Sequence, residues 1–79
     1  MEMDKVIERW KATAEIFLRD NIRAFIKDVN GDLYFCDILL VGDDTITVQC
    51  FNPIQRVGKK FNLYWTLIEE FEQYQEVGK

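Results

Sequence analysis

Apolar residues near the N-terminus fall at Val6, Ile7, Trp10, Ala14, Phe17 and Leu18, the spacing of one stripe along a helix. Glu2, Asp4, Glu8, Arg9, Lys11 and Glu15 fill the other side. The pattern predicts a helix over residues 4–18, capped by Asp4, where a carboxylate suits the free N–H groups. Trp10 lies on the apolar stripe and is expected to pack against the rest of the fold. The helix should end near Arg19-Asp20-Asn21.

From residue 22 the period changes. Runs rich in Ile, Leu, Val, Phe and Thr are interrupted by Asn30-Gly31 and by Gly42-Asp43-Asp44. Both are turn signals, and Asn-Gly readily takes the positive φ of a tight hairpin. Three consecutive antiparallel strands are predicted, over 22–29, 33–41 and 45–51. A two-residue Asn30-Gly31 turn pairs Val29 with Asp32, Phe25 with Cys36 and Ile26 with Phe35. Pairing Val41 with Thr45 sets Leu40, Ile38 and Cys36 opposite Ile46, Val48 and Cys50.

The second strand does not alternate. Tyr34, Cys36, Ile38 and Leu40 are apolar on one face, and Phe35, Leu39 and Val41 on the other. A half-exposed antiparallel strand alternates apolar with polar. Both faces are therefore expected to be covered, one by a barrel interior and one by the helix or a neighbouring subunit. On this register Cys36 and Cys50 are cross-strand neighbours on the core face. They read as two reduced thiols acting as small apolar residues; the alternative is a disulfide, which inside a cell fits chiefly a hyperthermophilic source.

Residues 52–60 (NPIQRVGKK) form one basic, turn-rich loop with the single proline. A fourth strand is expected over 61–65 and a fifth over 69–74. Leu67, Ile68, Phe71 and Tyr74 also fit helical spacing, so a closing helix over 67–74 is the alternative. A fifth strand is preferred because four strands leave an open edge. Residues 75–79 are expected to fray.

Composition sharpens this outline. At 79 residues the chain is a single domain, 1–79, and 48% of it is hydrophobic and 14% aromatic. A domain so small hides only about 60% of the surface its unfolded chain exposes, so self-association is a natural outlet for the surplus. The net charge of −4 repels phosphate backbones, so any nucleic-acid contact needs a local basic patch. No run is apolar enough to span a bilayer, and the start, MEMDKVIERW, is charged and amphipathic. A cytoplasmic location is expected, with no membrane partner.

A helix followed by five strands, the second long and bent, resembles the Sm-like family. The resemblance covers residues 6–74 and implies a mainly β fold: an N-terminal helix and a five-stranded, strongly bent antiparallel SH3-like barrel. It also implies a homo-oligomeric ring, in which the fourth strand of one subunit pairs with the fifth strand of the next. The family's uridine-binding motifs do not carry over. The glycine of the first falls near Cys36 and its asparagine near Ile46, with only Asp43 and Asp44 comparable to its aspartate. The arginine and glycine of the second are replaced over Leu63-Tyr64-Trp65.

With no histidine and no serine, no Ser-His or Cys-His pair can be built. Asp43-Asp44 and Glu69-Glu70 read as solvated surface charge rather than a catalytic dyad. Glycines occur singly, without a phosphate loop. The chain is expected not to be an enzyme and to use no metal, cofactor or small-molecule substrate. Two functional readings remain. One is a self-assembling Sm-like protein that binds single-stranded RNA weakly through Arg56, Lys59, Lys60, Tyr64 and Trp65, the aromatics offering stacking platforms. The other is a protein-interaction or structural assembly module without nucleic-acid binding.

Overall fold

The computed structural model describes residues 2–75. A helix, α1 (Glu2–Asp20), precedes β1 (Ala24–Asp28), β2 (Leu33–Val41), β3 (Thr45–Asn52), β4 (Lys60–Tyr64) and β5 (Ile68–Gln73). Single 3₁₀ turns, Ile54–Arg56 and Trp65–Leu67, flank β4. The five strands form one antiparallel sheet in the order β4-β3-β2-β1-β5, which is not closed into a barrel. The expected elements are thus present and the fifth is a strand. The expected fraying beyond Gln75 lies outside the described residues. No helix among those residues is long and apolar enough to cross a membrane.

Helix α1 begins before Asp4, which therefore sits inside the first turn rather than at its cap. It stops because Asn21 turns left-handed, at φ 59°. The Ile22 N–H then reaches back to the Phe17 carbonyl at 2.9 Å, which satisfies one of the helix's terminal acceptors. Ile7, Ala14 and Phe17 are buried against the sheet, with Trp10 and Leu18 packed beside them. Trp10 meets the edge of Phe71 at 6.5 Å between ring centroids, so it is a packing residue as expected.

The core lies on one face of the sheet. Ala24, Ile26, Tyr34, Cys36, Ile38, Ile46, Val48, Cys50, Ile68 and Phe71 join the helix stripe and Trp65 in one cluster. Cys36 pairs with Cys50 and Ile38 with Val48, as the sequence predicts. Leu40 does not pair with Ile46. Nor does Val41 pair with Thr45: Gly42 takes that place, and a bulge at Leu39 shifts the ladder by one residue, so that Val41 faces Ile46 and Leu40 turns outward at 62% exposure.

The first hairpin also differs from its predicted register. Phe25 pairs with Phe35 and Ile26 with Tyr34, each one residue away from the Asn-Gly expectation. Its loop holds three residues, Val29, Asn30 and Gly31, and Gly31 takes φ 91°. The reason is Asp28. Its carboxylate accepts the backbone N–H groups of Asn30 and Asp32 at 2.9 and 3.0 Å, and the Tyr34 hydroxyl at 3.2 Å. Burial and this carboxylate both raise the pKa of Tyr34, keeping its proton available to donate.

The period of β5 has a similar cause. Asp28 pairs with Ile68 but Lys27 with Glu70, leaving Glu69 as an extra residue in the strand. Ile68 and Phe71, three apart, then both face the core. The helix-like spacing over 67–74 is the trace of this bulge.

Trp65 fixes the crossing from β4 to β5. It is 1% exposed, its indole N–H donates to the Gly42 carbonyl at 3.0 Å, and its backbone N–H donates to the Asp44 carbonyl at 3.0 Å. Gly42 suits the tight β2–β3 turn, because a Cβ there would sit 3.0 Å from the Thr45 carbonyl oxygen.

Replacing Asp28 by alanine strands two backbone donors and a buried hydroxyl. Urea denaturation should show a loss of about 3 kcal/mol, and a smaller loss for Asp28→Asn, which keeps an acceptor for the turn. Trp65→Phe removes the indole donor and leaves a void, and should cost about 2 kcal/mol in the same measurement.

Candidate nucleic-acid and assembly surfaces

The five residues proposed from sequence for RNA contact do not form one patch. Arg56 ends a 3₁₀ turn and folds inward: its guanidinium donates to the Leu33 carbonyl at 3.0 Å and lies 5.1 Å from the Tyr34 ring centre and 5.8 Å from that of Phe61. It ties the 53–60 loop to the start of β2. Lys59 and Lys60 are exposed, and neither is ion-paired to a described residue.

Tyr64 sits at the other end of β4, about 13 Å from Lys60 at the rise of an extended strand. It is 57% exposed and lines a cleft of about 310 Å³ with Asp4, Glu8, Lys11, Asp43 and Asp44. Four carboxylates against one ammonium make this a poor place for a phosphate. Trp65 follows Tyr64 in sequence, but its ring is enclosed in the core and presents no face to a base. Only Lys59 and Lys60 therefore remain together and free.

The outer face of the sheet carries a cluster that sequence reasoning missed. Phe25 and Phe35 stack at 5.4 Å, Tyr74 meets Phe35 at 5.8 Å and Phe51 at 5.1 Å. Arg23 lies 4.0 Å above Phe51 and pairs with Asp37 at 3.2 Å. This cluster covers the outer side of β2 around Phe35. Neither the helix nor a second subunit is needed for that half, while Leu39 and Leu40 further along stay exposed. A signal was present in the sequence: Phe25, Phe35 and Phe51 each flank a core position, and so point away from it.

The two sheet edges differ in charge. Edge strand β4 is KFNLY, preceded by Lys59 and free of acids. Edge strand β5 is IEEFEQ, with three carboxylates and no cation. Lys27 on β1 reaches Glu69 at 4.0 Å, which leaves Glu70 and Glu72 without an ion-pair partner among the described residues.

Backbone polarity at the β4 edge follows from the ladder. Cys50 directs both its N–H and its carbonyl toward the β4 side, to Lys59 and Gly58. By alternation Val48 and Ile46 do the same, so their partners Phe61 and Leu63 face inward and Lys60, Asn62 and Tyr64 turn their backbone groups out.

Cys36 and Cys50 are free and buried, and burial pushes both thiols up from their ordinary pKa. Thiols held so are poor nucleophiles in the folded chain. Among the described residues no group of three or more His, Cys, Asp or Glu side chains is placed to hold a metal ion. No protein-family model, curated protein or solved structure matches the chain.

Proposed function

We propose that the chain is an Sm-like structural module whose role is self-assembly, with β4 of one copy pairing antiparallel to β5 of the next. The observation that carries this reading is the pair of open sheet edges with opposite charge. Each edge presents a row of backbone donors and acceptors that a second strand can satisfy. Pairing β5 with β5 would set carboxylates against each other, which is unfavourable on a ladder. Pairing β4 with β5 sets lysines against glutamates. Such an interface is head-to-tail, so it closes into a ring or extends as a filament.

Single-stranded RNA binding has less support. It rests on Lys59 and Lys60 alone, on a chain of net charge −4. Arg56 already has partners, Trp65 is enclosed, and Tyr64 stands among carboxylates. The assembly reading needs none of these groups to bind a nucleotide.

Sedimentation at micromolar concentration should give a multiple of the 9.4 kDa chain mass. Asn62→Pro removes an outward N–H and keeps the backbone ladder to β3, losing only the exposed bond from the Thr47 hydroxyl to the Asn62 side chain; it should raise the dissociation constant at least about tenfold while the chain stays folded. Glu70→Lys with Glu72→Lys should weaken self-assembly likewise. Mixing that chain with a Lys59→Glu, Lys60→Glu chain should restore it. A clean monomer at high concentration defeats the reading.

Titration with oligo-uridine at low salt should show no binding. Binding that weakens steeply with salt, with a slope reduced on neutralising Lys59 and Lys60, would instead establish the RNA reading.

A further inference from the structure

We propose that Cys36 and Cys50 form an oxidation site, which a low-molecular-weight disulfide closes into an intramolecular bond between β2 and β3. The two residues are direct partners on adjacent antiparallel strands, so their side chains leave the sheet on the same face. Antiparallel pairs are of two kinds, wide and narrow. Cys50 donates its N–H to the Lys59 carbonyl and accepts the Gly58 N–H, each at 2.9 Å, both away from β2. The Cys36–Cys50 pair is therefore the narrow, non-hydrogen-bonded kind, with Cα atoms about 4.5 Å apart. That separation lies within the span a disulfide bridges without backbone movement.

Both sulfurs are thiols in this structure, in side chains 0% and 2% exposed. The 53–59 loop lies beside Cys50 and is held there by its two backbone bonds to that residue, by Gln49 Nε2 to the Gly58 carbonyl at 3.1 Å, and by Arg56, so its opening is the route to the thiol. The loop and β4 lie at the edge of the sheet, where opening needs less than global unfolding. Arg56 favours the Cys50 thiolate against the opposing effect of burial, whereas Cys36 has no cation acting on it. Cys50 is thus the first nucleophile.

The exchange is balanced without another reagent. The Cys50 thiolate attacks one sulfur of a disulfide such as oxidised glutathione, releasing one glutathione thiolate and leaving a mixed disulfide at Cys50. Cys36 then gives up its proton to solvent and attacks the Cys50 sulfur, releasing the second glutathione. Two protein thiols are oxidised and one small disulfide is reduced to two thiols. The bond closes the 15 residues from 36 to 50 in the middle of the sheet. The bond joins two interior strands of one protomer and needs no second copy, although pairing of β4 in an assembly would slow the opening that admits the reagent.

The test uses the full chain, incubated natively across glutathione redox buffers, alkylated, and read by intact mass and peptide mapping. A species about 2 Da lighter at monomer mass is expected, linked between 36 and 50 and reversed by dithiothreitol. Its unfolding equilibrium constant should be roughly 100-fold lower than that of the reduced chain. The Cys36→Ala chain should stop at a glutathione adduct on Cys50. Three results would overturn the proposal: a dithiol that persists at every redox ratio, chains joined to each other through sulfur, or a linked chain that unfolds more easily than the reduced one. The wild-type measurement decides the matter even where an alanine variant folds poorly.

Discussion

An antiparallel sheet obliges side chains to alternate between its faces, and a strand that carries an extra residue breaks that rule. This chain breaks it at Phe51, Leu39 and Glu69, each an extra residue against one fewer on the partner strand. Each bulge bends its strand and resets the phase of the residues beyond it. At Leu39 the reset keeps Val41 beside Ile46 over the core. At Glu69 it brings both Ile68 and Phe71 inward, where Phe71 meets Trp10, Phe17 and Trp65. The single core of helix stripe and sheet depends on these three positions.

The same feature separates the legible part of the sequence from the rest. Turn chemistry and apolar runs are local signals, so the helix and all five strands could be placed to within a few residues. Register is not local. The Asn30-Gly31 dipeptide favours a two-residue turn, yet the decisive group is the Asp28 carboxylate two residues earlier, with three donors converging on it. Leu40 reads as a core residue until the bulge at Leu39 is known. The Cys36–Cys50 pair is read correctly because two one-residue shifts cancel: the turn sets Gly42, not Val41, opposite Thr45, and the bulge at Leu39 shifts the ladder back.

Candidate site residues fared differently for a related reason. Residue type suggests what a side chain can do, while its surroundings decide whether it is free to do it. Arg56 and Trp65 carry the chemistry of nucleic-acid recognition, but one closes a loop and the other fills the core. Lys59 and Lys60, with long stems at an edge and no described ion-pair partner, retain theirs. Nothing in the local sequence separates Arg56 from Lys59. The separation comes from the Leu33 carbonyl and the Tyr34 ring, more than twenty positions away along the chain.

Assembly, too, rests on different ground in the folded chain. A surplus of apolar residues first suggests that one copy cannot bury them all. Much of that surplus is covered within the chain, because Phe25, Phe35, Phe51 and Tyr74 shield one another on the outer face. Exposed apolar residues such as Leu40 and Ile54 remain, but single ones are ordinary on a small protein. What one copy cannot satisfy from its own described residues is backbone: the outward N–H and carbonyl groups along β4 and along β5. Hydrogen-bond geometry, with charge choosing between the possible partners, therefore carries the case that hydrophobic surface alone does not.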